Sequence, residues 1–346
     1  MIRFNSDYTE GAHPEILRLL EETNYQQTDG YGMDEWCSKA RDLIREACDC
    51  PGADVHFLVG GTQTNAAVIA AALRPYEGAI SADTGHINVH ETGAVEHTGH
   101  KVLALPSKDG KITAKQVRRC IEEHFASPAF EHTVKPGLVY ISYPTEYGTI
   151  YTRQELEDIH EVCKQYSIPF FIDGARLGYG LMCPECDIEL DDLARLCDIF
   201  YIGGTKVGAL FGEAVVVPDP SELPNFRYMI KQSGGMLAKG RLLGIQFAAL
   251  FTDGLYLKIS KHAIAMSEKI RKALTELGFR IYIESPTNQQ FFVLTREQFD
   301  EITKEFALDL NCEVDGGVVA RACTSWATKE ENVDRFIEEL KRISNK

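Results

Sequence analysis

Between residues 50 and 220, short apolar runs alternate with stretches whose apolar residues recur at every third or fourth position. The runs are bounded by glycine and polar residues and predict strands at 55–59, 79–82, 101–105, 137–142, 169–172, 198–202 and 213–217. Strands that alternate with helices imply βαβ units, and therefore a largely parallel seven-stranded sheet covered by helices on both faces. Two helix starts are explicit. Thr113-x-x-Gln116 and Thr152-x-x-Glu155 are capping boxes. Behind the second, Leu156, Ile159, Val162, Cys163 and Tyr166 fall on one helical face.

From about residue 240 the helical period persists through Leu242, Ile245, Ala249, Leu255, Ile259, Ile264, Ile270 and Leu274, with Gly254 a bend. This is the spacing of a connector between domains. After Gly278 the pattern reads as strands at 280–284 and 290–294, a helix over 296–306, a strand at 318–323 and a last helix presenting Val333, Phe336, Ile337, Leu340 and Ile343. The fold class expected is α/β, with a small C-terminal α+β domain. The boundaries expected are an N-terminal segment, 1–30, a large domain, 31–250, and a small domain, 251–346. No repeat or low-complexity linker separates them, so they are expected to pack together.

The net charge of −15 disfavours nucleic acid and anionic membrane surfaces as partners, although a local cluster of cations can still hold a small anion. No apolar run of membrane-spanning length stands out, and Met1 to Asp7 lacks the basic flank and apolar core of a targeting segment, so a cytoplasmic protein is expected. The ten cysteines then read as reduced thiols. Cys183-Pro-Glu-Cys186 has half-zinc-site spacing, but no second pair of that spacing follows, and no metal is expected.

Three strand ends carry candidate chemistry. Val55 to Val59 runs into Gly60-Gly61-Thr62-Gln63-Thr64-Asn65 and an alanine-rich helix, where backbone N–H groups can meet a phosphate, although a tight turn needs glycine in any case. Pro169 to Ile172 delivers Asp173-Gly174-Ala175-Arg176. A carboxylate leaving a buried strand needs a cation or strong donors to stay ionised. Arg176 is the nearest candidate, which makes either a helix-capping ion pair or, for Asp173, a partner to a protonated pyridine nitrogen. The third run, Cys197 to Ile202, ends in Gly203-Gly204-Thr205-Lys206 with Val207 to Phe211 beyond. Apolar sequence on both sides desolvates the Lys206 amine, lowers its pKa and makes it a nucleophile.

Taken together with Asn5-Ser6-Asp7, Tyr31-Gly32 with Asp34, Asp83-Thr84-Gly85-His86 and Ala320-Arg321-Ala322-Cys323-Thr324-Ser325-Trp326, these motifs make the chain resemble the threonine aldolase and β-eliminating lyase group of fold-type-I pyridoxal phosphate enzymes. The resemblance implies an aspartate aminotransferase-like fold and pyridoxal phosphate bound to Lys206 as a Schiff base. Asp173 would meet the pyridine nitrogen and His86 would stack on the ring. Gly61 and Thr62, with Gln63 and Thr205, would surround the phosphate, while Ser6, Arg176 and Arg321 would clamp the amino-acid carboxylate. Arg321 in the apolar run Val318-Val319-Ala320 is costly unless an anion meets it, which agrees with that role. Tyr31 would reach a partner subunit's site, so a homodimer or homotetramer is implied.

Two departures from the family pattern stand out. Glu146, in Ser142-Tyr143-Pro144-Thr145-Glu146-Tyr147-Gly148, occupies the place of a histidine found in many members, and either Lys239 or Arg241 replaces an arginine that reaches the phosphate. The activity implied is retro-aldol cleavage of a small β-hydroxy-α-amino acid to glycine and an aldehyde. His86, His90 and Glu146 are candidate bases, with His90 equally a wall of the pocket. The rivals are β-elimination, transamination or racemisation with the same cofactor, a non-catalytic relative, and a nucleotide-binding protein; the last lacks the expected glycine motifs.

Overall fold

The computed structural model describes residues 1–344. After a two-residue strand, β1 (Ile2–Arg3), the seven strands expected between 50 and 220 all form: β2 (Asp54–Leu58), β3 (Glu77–Ala82), β4 (Lys101–Leu105), β5 (Lys135–Ser142), β6 (Phe170–Asp173), β7 (Ile199–Gly203) and β8 (Glu213–Val217). They make one sheet in the order β2-β8-β7-β6-β5-β3-β4. Only β8 runs against its neighbours, β2 and β7. The link from β7 to β8 holds no helix, and parallel pairing requires a long crossover.

Side-chain alternation along the central strands feeds two cores. Phe170 and Ile172 pack with Leu156, Ile159 and Val162 on one face; Phe171 and Tyr201 pack with Val68 and Ile69 on the other. Both capping boxes form as expected. Close approach at the sheet's C-terminal edge depends on glycine, because a Cβ on Gly174 would lie 1.9 Å from the Tyr201 carbonyl oxygen.

The stretch Arg241–Glu276 is long and apolar enough, by length and composition alone, to cross a membrane, which the sequence reading did not register. In the fold it breaks at Asp253 and Gly254, both with positive φ, into helices Arg241–Phe251 and Leu255–Glu276. Its apolar residues Leu243, Phe247, Ala248 and Leu250 are buried in the core of the large sheet, which accounts for the composition.

The C-terminal region contains β9 (Ile281–Ile283), β10 (Gln289–Leu294), β11 (Phe306–Ala307), β12 (Asp309–Val314) and β13 (Gly317–Cys323), with a four-stranded antiparallel sheet in the order β12-β13-β10-β9. The helix expected over 296–306 stops at Ile302. Phe306 instead enters β11, which pairs in parallel with β1, and joins Phe4 and Phe336 in a ring cluster with centroids 5.0–6.2 Å apart. The start of the chain is thereby built into this small domain, and the Cys323 N–H donates to the Phe4 carbonyl at 2.7 Å.

Candidate active site

The ends of β2, β6 and β7 meet along one edge of the large sheet, where open α/β sheets place their ligands. They enclose a cavity of about 300 Å³ whose walls include Gly61, Thr62, Asp173, Thr205 and Lys206, with His86, Glu146 and Arg176 completing it.

Asp173 is buried at 3% exposure and satisfied on both oxygens. Oδ2 accepts from Tyr140 Oη at 2.6 Å and Asn65 Nδ2 at 2.9 Å; Oδ1 accepts from Tyr201 Oη and from the Ala175 N–H at 3.0 Å. Burial pushes its pKa up, but the His86 charge and donation from Tyr140, Tyr201 and Asn65 outweigh burial and hold the carboxyl below its ordinary value. The expected Asp173–Arg176 pair does not form. Arg176 instead makes a two-pronged ion pair with Asp7, Nε to Oδ2 at 2.6 Å and Nη2 to Oδ1 at 3.0 Å, because the N-terminal segment folds back against it. Asn288 Nδ2 donates to the same carboxylate at 2.9 Å.

Lys206 follows the β7 turn into the cavity, and its Nζ makes no hydrogen bond or ion pair with any described residue. Burial lowers its pKa, as does the Arg176 guanidinium, against the opposing charges of Asp7, Asp173 and Glu213. His86 Nδ1 sits 2.7 Å from Glu91 Oε1, and the Glu91 side chain is fully buried. Burial lowers the His86 pKa, but its hydrogen bond to Glu91 and the nearby carboxylates raise it overall. Asn65 Nδ2 also donates to Glu91 Oε1 at 2.8 Å, so one amide links Glu91 to Asp173. Glu146 Oε1 accepts from Ser142 Oγ at 2.6 Å and from the His86 N–H at 2.8 Å. Burial raises its pKa.

Other residues singled out in the sequence lie outside the cavity walls. Ser6 Oγ is buried without a hydrogen bond, beside Asp7. Arg321 is not unpaired: β12 brings Asp309 Oδ2 to 2.9 Å of its Nη2, and Gln289 Oε1 accepts from Nη1 at 3.1 Å, leaving Nε buried without a partner. The exposed His90 ring lies 5.6 Å from the His86 ring. Gln63 turns away, donating to the Ser233 carbonyl at 3.0 Å. Tyr31 lies under Lys231, 4.6 Å from the ring centroid, and its carbonyl accepts from Arg227. Arg241 donates to the carbonyls of Gln26 and Asn24, so it braces the N-terminal segment. All ten cysteines are free thiols, and among the described residues no cluster of three or more His, Cys, Asp or Glu is placed to hold a metal.

The chain matches the beta-eliminating lyase family over residues 4–297. A threonine aldolase structure from Leishmania major is 45% identical over 99% of this chain and 100% of that one, with a TM-score of 0.97. This chain belongs to the beta-eliminating lyase family. A low specificity L-threonine aldolase from a Pseudomonas species is 28% identical over 99% of this chain and 97% of its own length. An aspartate aminotransferase from Thermus thermophilus, at 14% identity and a TM-score of 0.74 over 99% of this chain and 91% of that one, shares the fold.

The family depends on pyridoxal phosphate, and the cavity fits that cofactor. An unpartnered amine faces it from Lys206, and a buried carboxylate is held ionised at Asp173. At the start of the helix Gly61–Ala72, a Cβ on Gly60 would meet nothing within 4 Å, which leaves backbone open at a helix end whose first N–H groups are free. Family membership was legible from the motifs, whereas Tyr201 and Glu213 in the cavity wall, and Asn65, Glu91 and Tyr140 that hydrogen-bond Asp173 or His86 from behind it, were not picked out. Their one signal was polarity at positions otherwise built as core.

Proposed function

We propose that this chain cleaves β-hydroxy-α-amino acids of the threonine class to glycine and an aldehyde. The observation that carries this reading is a single cavity that pairs an unpartnered Lys206 amine with a buried, ionised Asp173, in a chain 45% identical to a threonine aldolase. Pyridoxal phosphate bound there supplies an electron sink for the bond broken at Cα. Lys206 would hold the cofactor covalently and Asp173 would keep a proton on its pyridine nitrogen. Gly61, Thr62 and Thr205 would surround the phosphate. Arg176, which lines the cavity with its charge held in place by Asp7, would meet the substrate carboxylate; Ser6 Oγ and Arg321 Nε, outside the cavity walls but buried without partners, are the further donors the resemblance assigns to it.

His86 would stack on the cofactor ring, and its pairing with Glu91 raises its proton affinity, which makes it the weaker candidate for the base. Glu146 suits that task better. A buried carboxyl of raised pKa is poised to take the β-hydroxyl proton, and Oε2 remains free of hydrogen bonds to described residues. His90 forms part of the mouth.

The test is product analysis with both threonine diastereomers, where acetaldehyde and glycine are expected. 2-Oxobutyrate with ammonia would instead establish elimination, and no turnover of any β-hydroxy amino acid would remove the aldolase reading. In the same assay Glu146→Gln should lower kcat about 10²–10⁴-fold with KM little changed; an unaltered kcat would transfer the base role elsewhere.

We propose also that the chain works as a homo-oligomer. Tyr25 is 95%, Met33 64% and Tyr228 77% exposed, near the Tyr31 loop and the helix Phe226–Gln232 on which it rests. Light scattering should return at least twice the chain mass, and a monomer at micromolar concentration would contradict it.

A further inference from the structure

β8 begins with a charged residue in a place built for apolar ones. All five residues of the strand are buried, and its companions are Ala214, Val215, Val216 and Val217. A carboxylate at 3% exposure is retained at such a position only when its surroundings satisfy it. Here both oxygens are engaged by the turn that carries the active-site lysine. The register pairs Gly203 with Glu213, so the side chain folds back under the loop. Oε2 accepts from the Gly204 N–H at 3.1 Å and Oε1 from Thr205 Oγ1 at 2.8 Å, while the same Thr205 oxygen accepts from the Gly212 N–H at 3.0 Å. The loop between β7 and β8 is thus closed on itself through one carboxylate. Lys206 is the next residue, and both it and Glu213 line the cavity.

We infer that Glu213 is a positioning residue for Lys206: it fixes the Gly204–Thr205 turn from below and presents a negative charge to the amine, setting the direction and the proton affinity of that amine. The inference rests on the proposed role of Lys206 in holding the cofactor.

The groups that face this pair can be named. Asp173, Tyr201 and Tyr256 act on Glu213 or are acted on by it, and Arg176, Asp7 and Asp173 act on Lys206. Burial pushes Glu213 up to about 8, against hydrogen bonding from Thr205 and the Lys206 charge. Its negative charge is therefore fully present only above that pH, where it favours the protonated amine. Removing it must lower the pH at which Lys206 loses its proton.

The measurement is the pH dependence of Lys206 acetylation by acetic anhydride in the full chain freed of cofactor, read on the Lys206 peptide by mass spectrometry, with circular dichroism as a check on folding. Glu213→Gln should shift the midpoint down by about one pH unit, which is about a tenfold rise in free amine below both midpoints. Thr205→Val should shift it the same way by less, since a carboxylate that loses a donor holds its own proton more tightly. A role confined to holding the fold would change labelling equally at every pH, so an unmoved midpoint in Glu213→Gln overturns the proposal. If that variant does not fold, an unmoved midpoint in Thr205→Val does so. Addition of pyridoxal phosphate to the unaltered chain tests the underlying role separately: absence of a Lys206-dependent absorption band removes the cofactor reading and leaves the labelling result standing.

Discussion

Lys206→Ala is expected to lose the visible absorption of lysine-bound pyridoxal phosphate and to reduce turnover about 10⁴-fold, the upper end of what a single positioned acid–base group contributes. Among the described residues the amine is the only group in the cavity suited to covalent attachment, and none of them competes for its lone pair. Lys206→Arg is the sharper control. A guanidinium keeps the positive charge beside Asp7, Asp173 and Glu213 but cannot be deprotonated, so it should be as inactive as the alanine variant. Substantial turnover in either variant, or an absorption band that survives in both, would mean that the cofactor is held elsewhere.

Asp7→Ala is expected to be the most damaging change to stability outside the hydrophobic cores, at about 3–5 kcal/mol, because it strands a buried guanidinium. Asp7 has no exposed surface, and it meets Arg176 through two hydrogen bonds and Asn288 through a third. Burial alone would raise its pKa, but Arg176, Lys206 and Asn288 bring it down to about 2. Because the folded value lies below that of an unfolded aspartate, its contribution is complete above pH ~4 and is lost as the pH falls towards 2. Urea unfolding at pH 7 should therefore show the loss in Asp7→Ala and recover part of it in Asp7→Ala/Arg176→Met, where no buried charge is left alone. Unfolding midpoints unchanged in the single variant would show that solvent reaches Arg176 and that the pair adds little.

The large sheet was legible because each of its strands is an apolar run closed by glycine or a polar residue, as at Pro169 to Asp173 and Cys197 to Gly203. The misreading over 296–306 has an equally local cause. Phe299, Ile302 and Phe306 continue a helical spacing, although Phe306 serves a different element, and β12 that follows is half-exposed and polar, with no apolar run to mark it. At the site, Asp173 and Lys206 could be found because a charge after a buried run demands an explanation. The partner of Arg176 could not, since Asp7 lies 169 residues upstream and only tertiary folding brings it there. Tyr140 and Tyr201 look like ordinary strand residues, and their hydroxyls matter only once Asp173 is placed between them. Glu91 was hidden in a short polar stretch in which nothing distinguishes it from Glu96.

The parallel pairing of Ile2 and Arg3 with Phe306 and Ala307 has a consequence for how the protein is made. A chain emerging from the ribosome can complete the seven-stranded sheet once residue 217 is out, yet its first residues have no strand to join until residue 307 follows. Asp7 waits with them, and so does its contact with Asn288. A polypeptide truncated before residue 306 therefore carries every residue that lines the cavity around Lys206 and still lacks the strand that β1, just ahead of Asp7, pairs with.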